Sequence, residues 1–419
     1  MKRTLAIILS LLFIISSFLF PACTEKPDPE PEPKPAAARG KFDLGEGFGA
    51  AIKADGSLWT WGENIYGQLG NGTTENSLVP VKVMDDVVFI SCGDYHMAAI
   101  KTDGSLWTWG SNMYSQLGNG GQSNDKDGLN HSLEVQTVPV KILDNAAEVY
   151  CGNADTIILR KDGELLFTGE GEYWTSLMGE LDYSVPQPIM SGIKAICRGN
   201  HVGVIRNDDS LWMFGDNRYG QLMTGTTGAV QEPVKVMEDV LCCANCVWGT
   251  TAVLKKDGTL WTCGSNANGM LGNGGEASRT DQSSTPFEPE PVKIMDEVVD
   301  VCANGECFLA LKTDGSVWAL GTNELANIGV EAPEGMIEDR YGNLTVVPRP
   351  VKVLDDAAAI ACGFLNCSAL KADGSLWIWG AARDGAIGNG TEGNFTDRHG
   401  RPLQTVPAMT FGPGSVLMP

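Results

Sequence analysis

Positive charge is scarce in this chain. Its 419 residues carry 30 Lys and Arg against 52 Asp and Glu, with four His, for a formal net charge of −22. Such a field repels phosphate backbones and argues against nucleic acid as a partner. No Gly-rich phosphate loop, no Gly-x-Ser-x-Gly elbow and no zinc-protease helix motif occurs, so the common signatures of nucleotide, acyl-transfer and metallohydrolase chemistry are missing. Carboxylates are plentiful, but nothing in their order singles out a pair suited to glycoside hydrolysis. No apolar pattern of helical period is long enough to compete with strands. Nor does any apolar run reach the roughly 20 residues that a membrane-crossing helix needs. We therefore expect no catalytic residue, no cofactor and no metal.

The most apolar stretch lies at the start. Lys2 and Arg3 precede Leu5 to Phe20, and Phe20-Pro-Ala-Cys23 follows. A basic start and a short apolar stretch describe an export signal, residues 1–22. Its end resembles a bacterial lipobox, with Cys23 as the acylated, palmitate-bearing first residue of the mature chain. Phe20 and Pro21 depart from that pattern. Residues 23–39 contain Thr24-Glu-Lys-Pro-Asp-Pro-Glu-Pro-Glu-Pro-Lys-Pro35, a stiff, extended tether with nothing apolar to pack. Removing Lys2 and Arg3 with the signal gives −22 − 2 = −24 for the mature chain.

What fills the remainder is a repeat. Asp55-Gly-Ser-Leu-Trp-Thr-Trp-Gly62 and the Gly-Gln-Leu-Gly-Asn-Gly that ends at Gly72 return almost unchanged from Asp103 to Gly120. Further copies begin at Asp162, Asp208, Asp257, Asp314 and Asp373, making seven. Measured on the second residue of each copy, the spacings are 48, 59, 46, 49, 57 and 59. A period near fifty marks an array of supersecondary units. Asp-Gly between two apolar runs is a hairpin signal, and a type I′ turn is expected there. Around it lie His96-Met-Ala-Ala-Ile100, Leu106-Trp-Thr-Trp109 and Val79-Pro-Val-Lys-Val83, which read as short strands. The fold class predicted for residues 40–419 is all-β, a seven-bladed β-propeller. Phe42 to Ile52 begins in mid-repeat and Thr405 to Phe411 ends the chain as an isolated Val-Pro strand. Pairing of that C-terminal strand with the N-terminal blade would close the ring and remove an exposed edge.

Cys92-Gly-Asp-Tyr-His96, Asp103-Gly104, Trp107-Thr-Trp-Gly110 and Gln116-Leu-Gly118 closely resemble the regulator-of-chromosome-condensation repeat. The resemblance covers Phe42 to Phe411 and implies a seven-bladed propeller. No Trp-Asp dipeptide of the rival WD-type repeat occurs. The family's eukaryotic namesake is an exchange factor for a small nuclear GTPase and binds chromatin, which suits neither an export signal nor this charge. Secreted bacterial relatives clamp other proteins with one face of the ring, and the resemblance carries that expectation here.

Three long spacings share one cause, extra residues before the Val-Pro strand at about 121–137, 275–290 and 330–349; a fourth insert, 391–405, precedes the last strand. Equivalent loops of a propeller emerge on one face. They carry His131, Arg279, Phe287, Arg340, Tyr341, Phe395, Arg398 and His399, residue types that dominate interfaces, and these are the candidate partner-binding residues. Asp125-Lys-Asp-Gly128 hints at a calcium loop but lacks the later ligands.

Twelve cysteines less Cys23 leave eleven, too odd a number for complete internal pairing. Cys92, Cys151, Cys197, Cys246 and Cys362 share one repeat position and read as compact hydrophobes. Cys302 with Cys307, and Cys362 with Cys367, have identical spacing and are candidate disulfides across a hairpin. His96 and His201 also share one position, filled elsewhere by Phe48, Asp155, Thr250, Cys307 and Asn366, so a structural contact is expected of them. The resulting expectation is a monomeric, lipid-anchored protein of the bacterial cell envelope, outer-membrane-bound and facing periplasm or exterior, that binds an unidentified protein. A glycan-binding lipoprotein is the alternative, and a hydrolase or lyase a more remote one.

Overall fold

A computed structural model describes residues 40–121, 135–170, 181–197, 201–246, 249–303, 305, 307–331, 335–338, 344–397 and 399–416. The chain divides into a unit Met1–Glu32, which lies outside the described residues, and a unit Pro33–Pro419, which the rest of this section concerns.

Strands β1 (Phe42–Leu44), β2 (Phe48–Ile52), β3 (Leu58–Gly62) and β4 (Ser77–Met84) form one antiparallel sheet in sequence order. Six more sheets repeat this order, beginning at Val87, Ala146, Ile193, Val240, Val298 and Ala357. These are blades 1 to 7 of a propeller. Blades 5, 6 and 7 each carry a fifth strand, Arg279–Thr280, Ile337–Glu338 and Phe395–Thr396.

The core explains why the strands read as nearly continuous apolar runs. Successive side chains of a strand point to opposite faces, and both faces of each blade are covered by a neighbour. On β2, Phe48, Ala50 and Ile52 pack against Val87, Ile90 and Trp109 of blade 2. Ala51, pointing the other way, packs with Leu370, Leu376 and Ile378 of blade 7. Seven hydrophobic clusters result, each shared by two adjacent blades.

Closure differs from the expectation. The last strand, Pro402–Phe411, pairs with Leu376–Ala381 of its own blade, not with the sheet that holds Phe42 to Gly62. The Val-Pro strand belongs to the hairpin that precedes it, so β4 completes blade 1 and no strand is missing there. The ring instead closes side to side, where Phe42, Leu44 and Trp61 pack on Phe411, Ile387 and Val416. A single antiparallel bridge, Lys53 to Val416, ties the chain beyond the last strand to the first hairpin.

The Asp-Gly turns also differ in type. Gly56 N donates to Lys53 O (2.9 Å) and Lys53 N to Ser57 O (2.8 Å). Only Gly56, at φ 81°, is left-handed, and Asp55 is not. This is a three-residue loop with a left-handed last position, not the two-residue I′ turn. Asp55 holds it by accepting from the Ser57 N–H at 3.0 Å and the Ser57 hydroxyl at 2.5 Å. Asp103, Asp208, Asp257, Asp314 and Asp373 repeat the device.

Candidate functional site

The connections that carry the inserts start from one rigid element. In Asn-x-x-Gly-Gln-Leu, the Asn64 amide oxygen accepts from Leu69 N at 2.9 Å, and Asn112, Asn217 and Asn266 do the same for Leu117, Leu222 and Leu271. The glycine that follows allows close approach. An added Cβ on Gly388 would sit 2.6 Å from the Trp61 ring, and one on Gly70 2.6 Å from that of Trp109.

From this base the inserts of blades 5 and 7 rise as matching hairpins. Arg279 pairs with Phe287 and Thr280 with Pro286; Phe395 pairs with Leu403 and Thr396 with Pro402. An aspartate organises each tip. Asp281 Oδ1 accepts from Ser283 N (2.8 Å) and Thr285 N (2.7 Å), and Asp397 Oδ1 from His399 N (2.9 Å) and Arg401 N (2.8 Å). In blade 6 the extra strand pairs Ile337 with Val346. Among the described residues, the inserts of blades 5, 6 and 7 thus extend the fourth strand with a paired strand.

This hairpin geometry sorts the sequence candidates. Arg279, Phe395 and His399 are exposed, with Phe395 54% accessible. Phe287 is not a surface residue. It is 6% accessible and packs edge-on against Tyr219 of blade 4, ring centroids 6.2 Å apart, because its side of the hairpin faces the preceding blade. His131, Arg340, Tyr341 and Arg398 lie outside the described residues, as does Cys23.

Between the 323–331 turn of blade 6 and the insert hairpin of blade 7 lies a groove of about 440 Å³, lined in part by Glu324, Val330, Glu331, Phe395, Asp397 and Leu403. Arg401 spans its wall, with Nε 2.6 Å from Asp397 Oδ2 and Nη2 3.2 Å from Glu324 Oε1. Burial opposes ionisation of Asp397, but the N–H and guanidinium of Arg401 outweigh it and hold the carboxyl below its usual range. Glu331 accepts from the Thr405 hydroxyl at 3.2 Å. An exposed aromatic ring in a groove that also holds Glu331, apart from the Arg401 ion pairs, can seat an apolar side chain beside a basic one. Sequence reasoning found Phe395 but missed Glu324 and Glu331, which lie on the neighbouring blade.

The propeller axis offers a different environment. A cavity of about 350 Å³ at one end is lined by Asp43, Ser91, Tyr150, Asn245 and Cys362. Burial pushes the Asp43 carboxyl up to about 7, although it accepts from Cys92 N at 2.8 Å and Leu44 N at 2.9 Å. Ser91 Oγ makes the corresponding bond to Cys151 N (3.0 Å), so these side chains tie each innermost strand to the next blade. The two repeat-position histidines do likewise: His96 Nε2 meets Thr156 Oγ1 at 2.8 Å and His201 Nε2 meets Thr251 Oγ1 at 2.5 Å, in both cases across a blade interface.

One disulfide joins two blades. Cys197 and Cys243, on the innermost strands of blades 4 and 5, form a disulfide with Cα atoms 5.3 Å apart, which nothing in the sequence spacing signalled. Cys302, Cys307, Cys362 and Cys367 gather where blades 6 and 7 meet. The nearest sulfur to Cys302 among them is that of Cys362, and the nearest to Cys307 is that of Cys367. Innermost strands converge at the axis, which brings successive repeats closer than strand partners. Cys307, Cys362 and Cys367 lie within 4.8 Å of one another, a grouping that the repeat pattern alone did not disclose.

Seven radial blades with hairpin extensions on three consecutive ones define the class, a seven-bladed β-propeller. The chain belongs to the RCC1-like domain family, whose model matches residues 24–341. It is 29% identical over 365 residues to the ultraviolet-B receptor UVR8 of Arabidopsis thaliana, covering 83% of this chain and 78% of the relative. To the regulator of chromosome condensation of Xenopus laevis it is 27% identical over 331 residues, covering 69% and 75%. The crystal structure of Kap60 bound to yeast RCC1 (Prp20) superimposes with a TM-score of 0.68 at 18% identity, covering 87% of this chain and 85% of that one. That likeness establishes the fold.

Proposed function

We propose that this protein is an envelope-tethered recognition scaffold, anchored through acylated Cys23, that binds a protein partner through the hairpin-extended side of its ring. One observation carries the reading. On three consecutive blades the outer strand is lengthened by a paired hairpin strand, and the last of these hairpins, with the blade 6 segment 323–331, bounds a groove that exposes Phe395 alongside Glu324, Glu331 and Asp397. Lengthening a loop is thermodynamically cheap, whereas ordering three of them in one register needs the hydrogen bonds and packing just described. Exposed aromatics are enriched at interfaces, and charge beside them selects the partner. The groove fits a partner segment that presents a basic side chain next to an apolar one. Binding accords with relatives that are a receptor and a regulator.

The test uses the full-length chain expressed with its own N-terminus. Labelling with a palmitate analogue and detergent-phase partition should report Cys23 acylation, lost in Cys23→Ser. Cross-linking in the native envelope should capture a stoichiometric partner that Phe395→Ala and Glu331→Lys both release. Retention of the partner by both variants would overturn the groove assignment.

A further inference from the structure

Sulfur geometry at the junction of blades 6 and 7 is pairwise. Cys302 Sγ, on the innermost strand of blade 6, lies 2.9 Å from Cys362 Sγ on the innermost strand of blade 7. Cys307 Sγ, on the second strand of blade 6, lies 3.3 Å from Cys367 Sγ on the second strand of blade 7. The sulfurs of Cys362 and Cys367, direct partners across a hairpin, are farther apart at 3.9 Å. An S–S bond is about 2.05 Å long, so each inter-blade pair is about an ångström from bonding. A tetrahedral zinc–thiolate site would set all four sulfurs at roughly equal separations near 3.8 Å, given zinc–sulfur bonds of about 2.3 Å. Here the three that lie mutually within 4.8 Å are Cys307, Cys362 and Cys367, and Cys302 is not of that group. Two short pairs and one longer diagonal match two bridges, not a tetrahedron.

A second observation is independent of these four. Cys197–Cys243 already bridges the innermost strands of blades 4 and 5 in the same manner. Disulfides persist in oxidising compartments, and an export signal on this chain is consistent with one.

We infer that Cys302–Cys362 and Cys307–Cys367 form two inter-blade disulfides that bolt the last blade of the ring to its neighbour. Each forms by exchange with a disulfide-bearing thiol oxidoreductase. One thiolate of the pair attacks the carrier disulfide and gives a mixed disulfide; the second thiolate then displaces the carrier. Two chain thiols and one carrier disulfide become one chain disulfide and two carrier thiols, so the two electrons and two protons end on the carrier. Burial raises the Cys362 and Cys367 thiols well above their ordinary range, which disfavours the attacking thiolate once the ring is packed. Cys307 and Cys367 are fully buried once the ring is packed, so bridge formation belongs to folding, as blades 6 and 7 come together.

The chain purified from an oxidising compartment should be alkylated in denaturant without reductant, digested and mapped by mass spectrometry. The expected result is no alkylation at the four cysteines, with linked peptides 302–362 and 307–367. Cys362→Ser should expose Cys302 to alkylation and leave the 307–367 peptide intact. The double variant Cys362→Ser, Cys367→Ser should lose most of the downward shift in melting midpoint that reductant causes in the parent. Alkylation of all four, links 302–307 or 362–367, or one zinc ion per chain released with four thiols by a chelator would each overturn the inference. If a variant does not fold, the map of the unaltered chain decides by itself.

Discussion

The indole Nε1 of Trp61 donates to the carbonyl of Ala386 at 3.1 Å, joining the first blade to the last across 325 residues of sequence. Trp109 makes the same bond to Gln68 O and Trp379 to Asn327 O, both at 2.9 Å. The seam where the chain ends meet is thus built like other blade interfaces. Trp61→Phe should cost about 1–3 kcal/mol, because the buried carbonyl loses its donor, and Trp61→Ala about 3–5 kcal/mol. The corresponding changes at Trp109 should cost the same within about 1 kcal/mol by denaturant unfolding. A Trp61 variant of unaltered stability would show that the closing interface is weak.

The glycines facing these indoles give a companion test. Gly388 (φ 72°) and Gly329 (φ 73°) are left-handed, and an added Cβ would meet the Trp61 and Trp379 rings at 2.6 and 2.7 Å. Gly388→Ala and Gly329→Ala should each destabilise by about 2–4 kcal/mol, combining backbone strain with overpacking. Gly400→Ala should cost about 1 kcal/mol, since it is left-handed but nothing lies within 4 Å of its Cβ position.

Acid should loosen the blade 4–5 interface. Burial lowers the His201 pKa to about 4, partly offset by Asp216 and Asn245. The unfolded chain takes up a proton near pH 6.5, whereas the folded one resists until about 4. Stability from His201 is therefore complete above about pH 6.5 and lost as pH falls towards 4, on the order of 3 kcal/mol. Asp43 acts with opposite sign. Burial raises its pKa to about 7, so the fold retains a proton that the unfolded chain releases, and stability falls as pH rises from about 4 to 7. The two windows overlap and largely offset each other, so in melting curves from pH 4 to 7.5 His201→Gln should make stability fall more steeply with rising pH, and Asp43→Asn should make it rise more steeply up to about pH 6.5.

Two phenylalanines in the matching hairpins of blades 5 and 7 should separate folding from recognition. Phe287→Ala should lower stability by about 3–5 kcal/mol, since the ring is buried against Tyr219. Phe395→Ala, half exposed, should change stability by less than about 0.5 kcal/mol and weaken partner binding at least tenfold, or about 1.4 kcal/mol. Thermal unfolding and quantitative pull-down check the two arms, and unaltered binding by Phe395→Ala would relocate the interface.

Sequence by itself determined the number of blades, the place of the hairpin turn in each and the structural role of His96 and His201. All of these depend on residues close in the chain, and a seven-fold repeat states each of them several times over. Tertiary structure decided the rest. Val79 to Val83 reads equally well as the start of one unit or the end of another, and only the pairing of β4 with β3 assigns it, so the closing seam was misread. Phe287 and Phe395 look alike in sequence, yet one lies on the fourth strand of its blade and the other on the exposed edge strand paired outside it. Cys302 meets Cys362, and Glu324 meets Arg401, because blades pack on their neighbours over distances of about sixty residues and more. Such contacts follow from the radial convergence of whole sheets, and no local pattern encodes them.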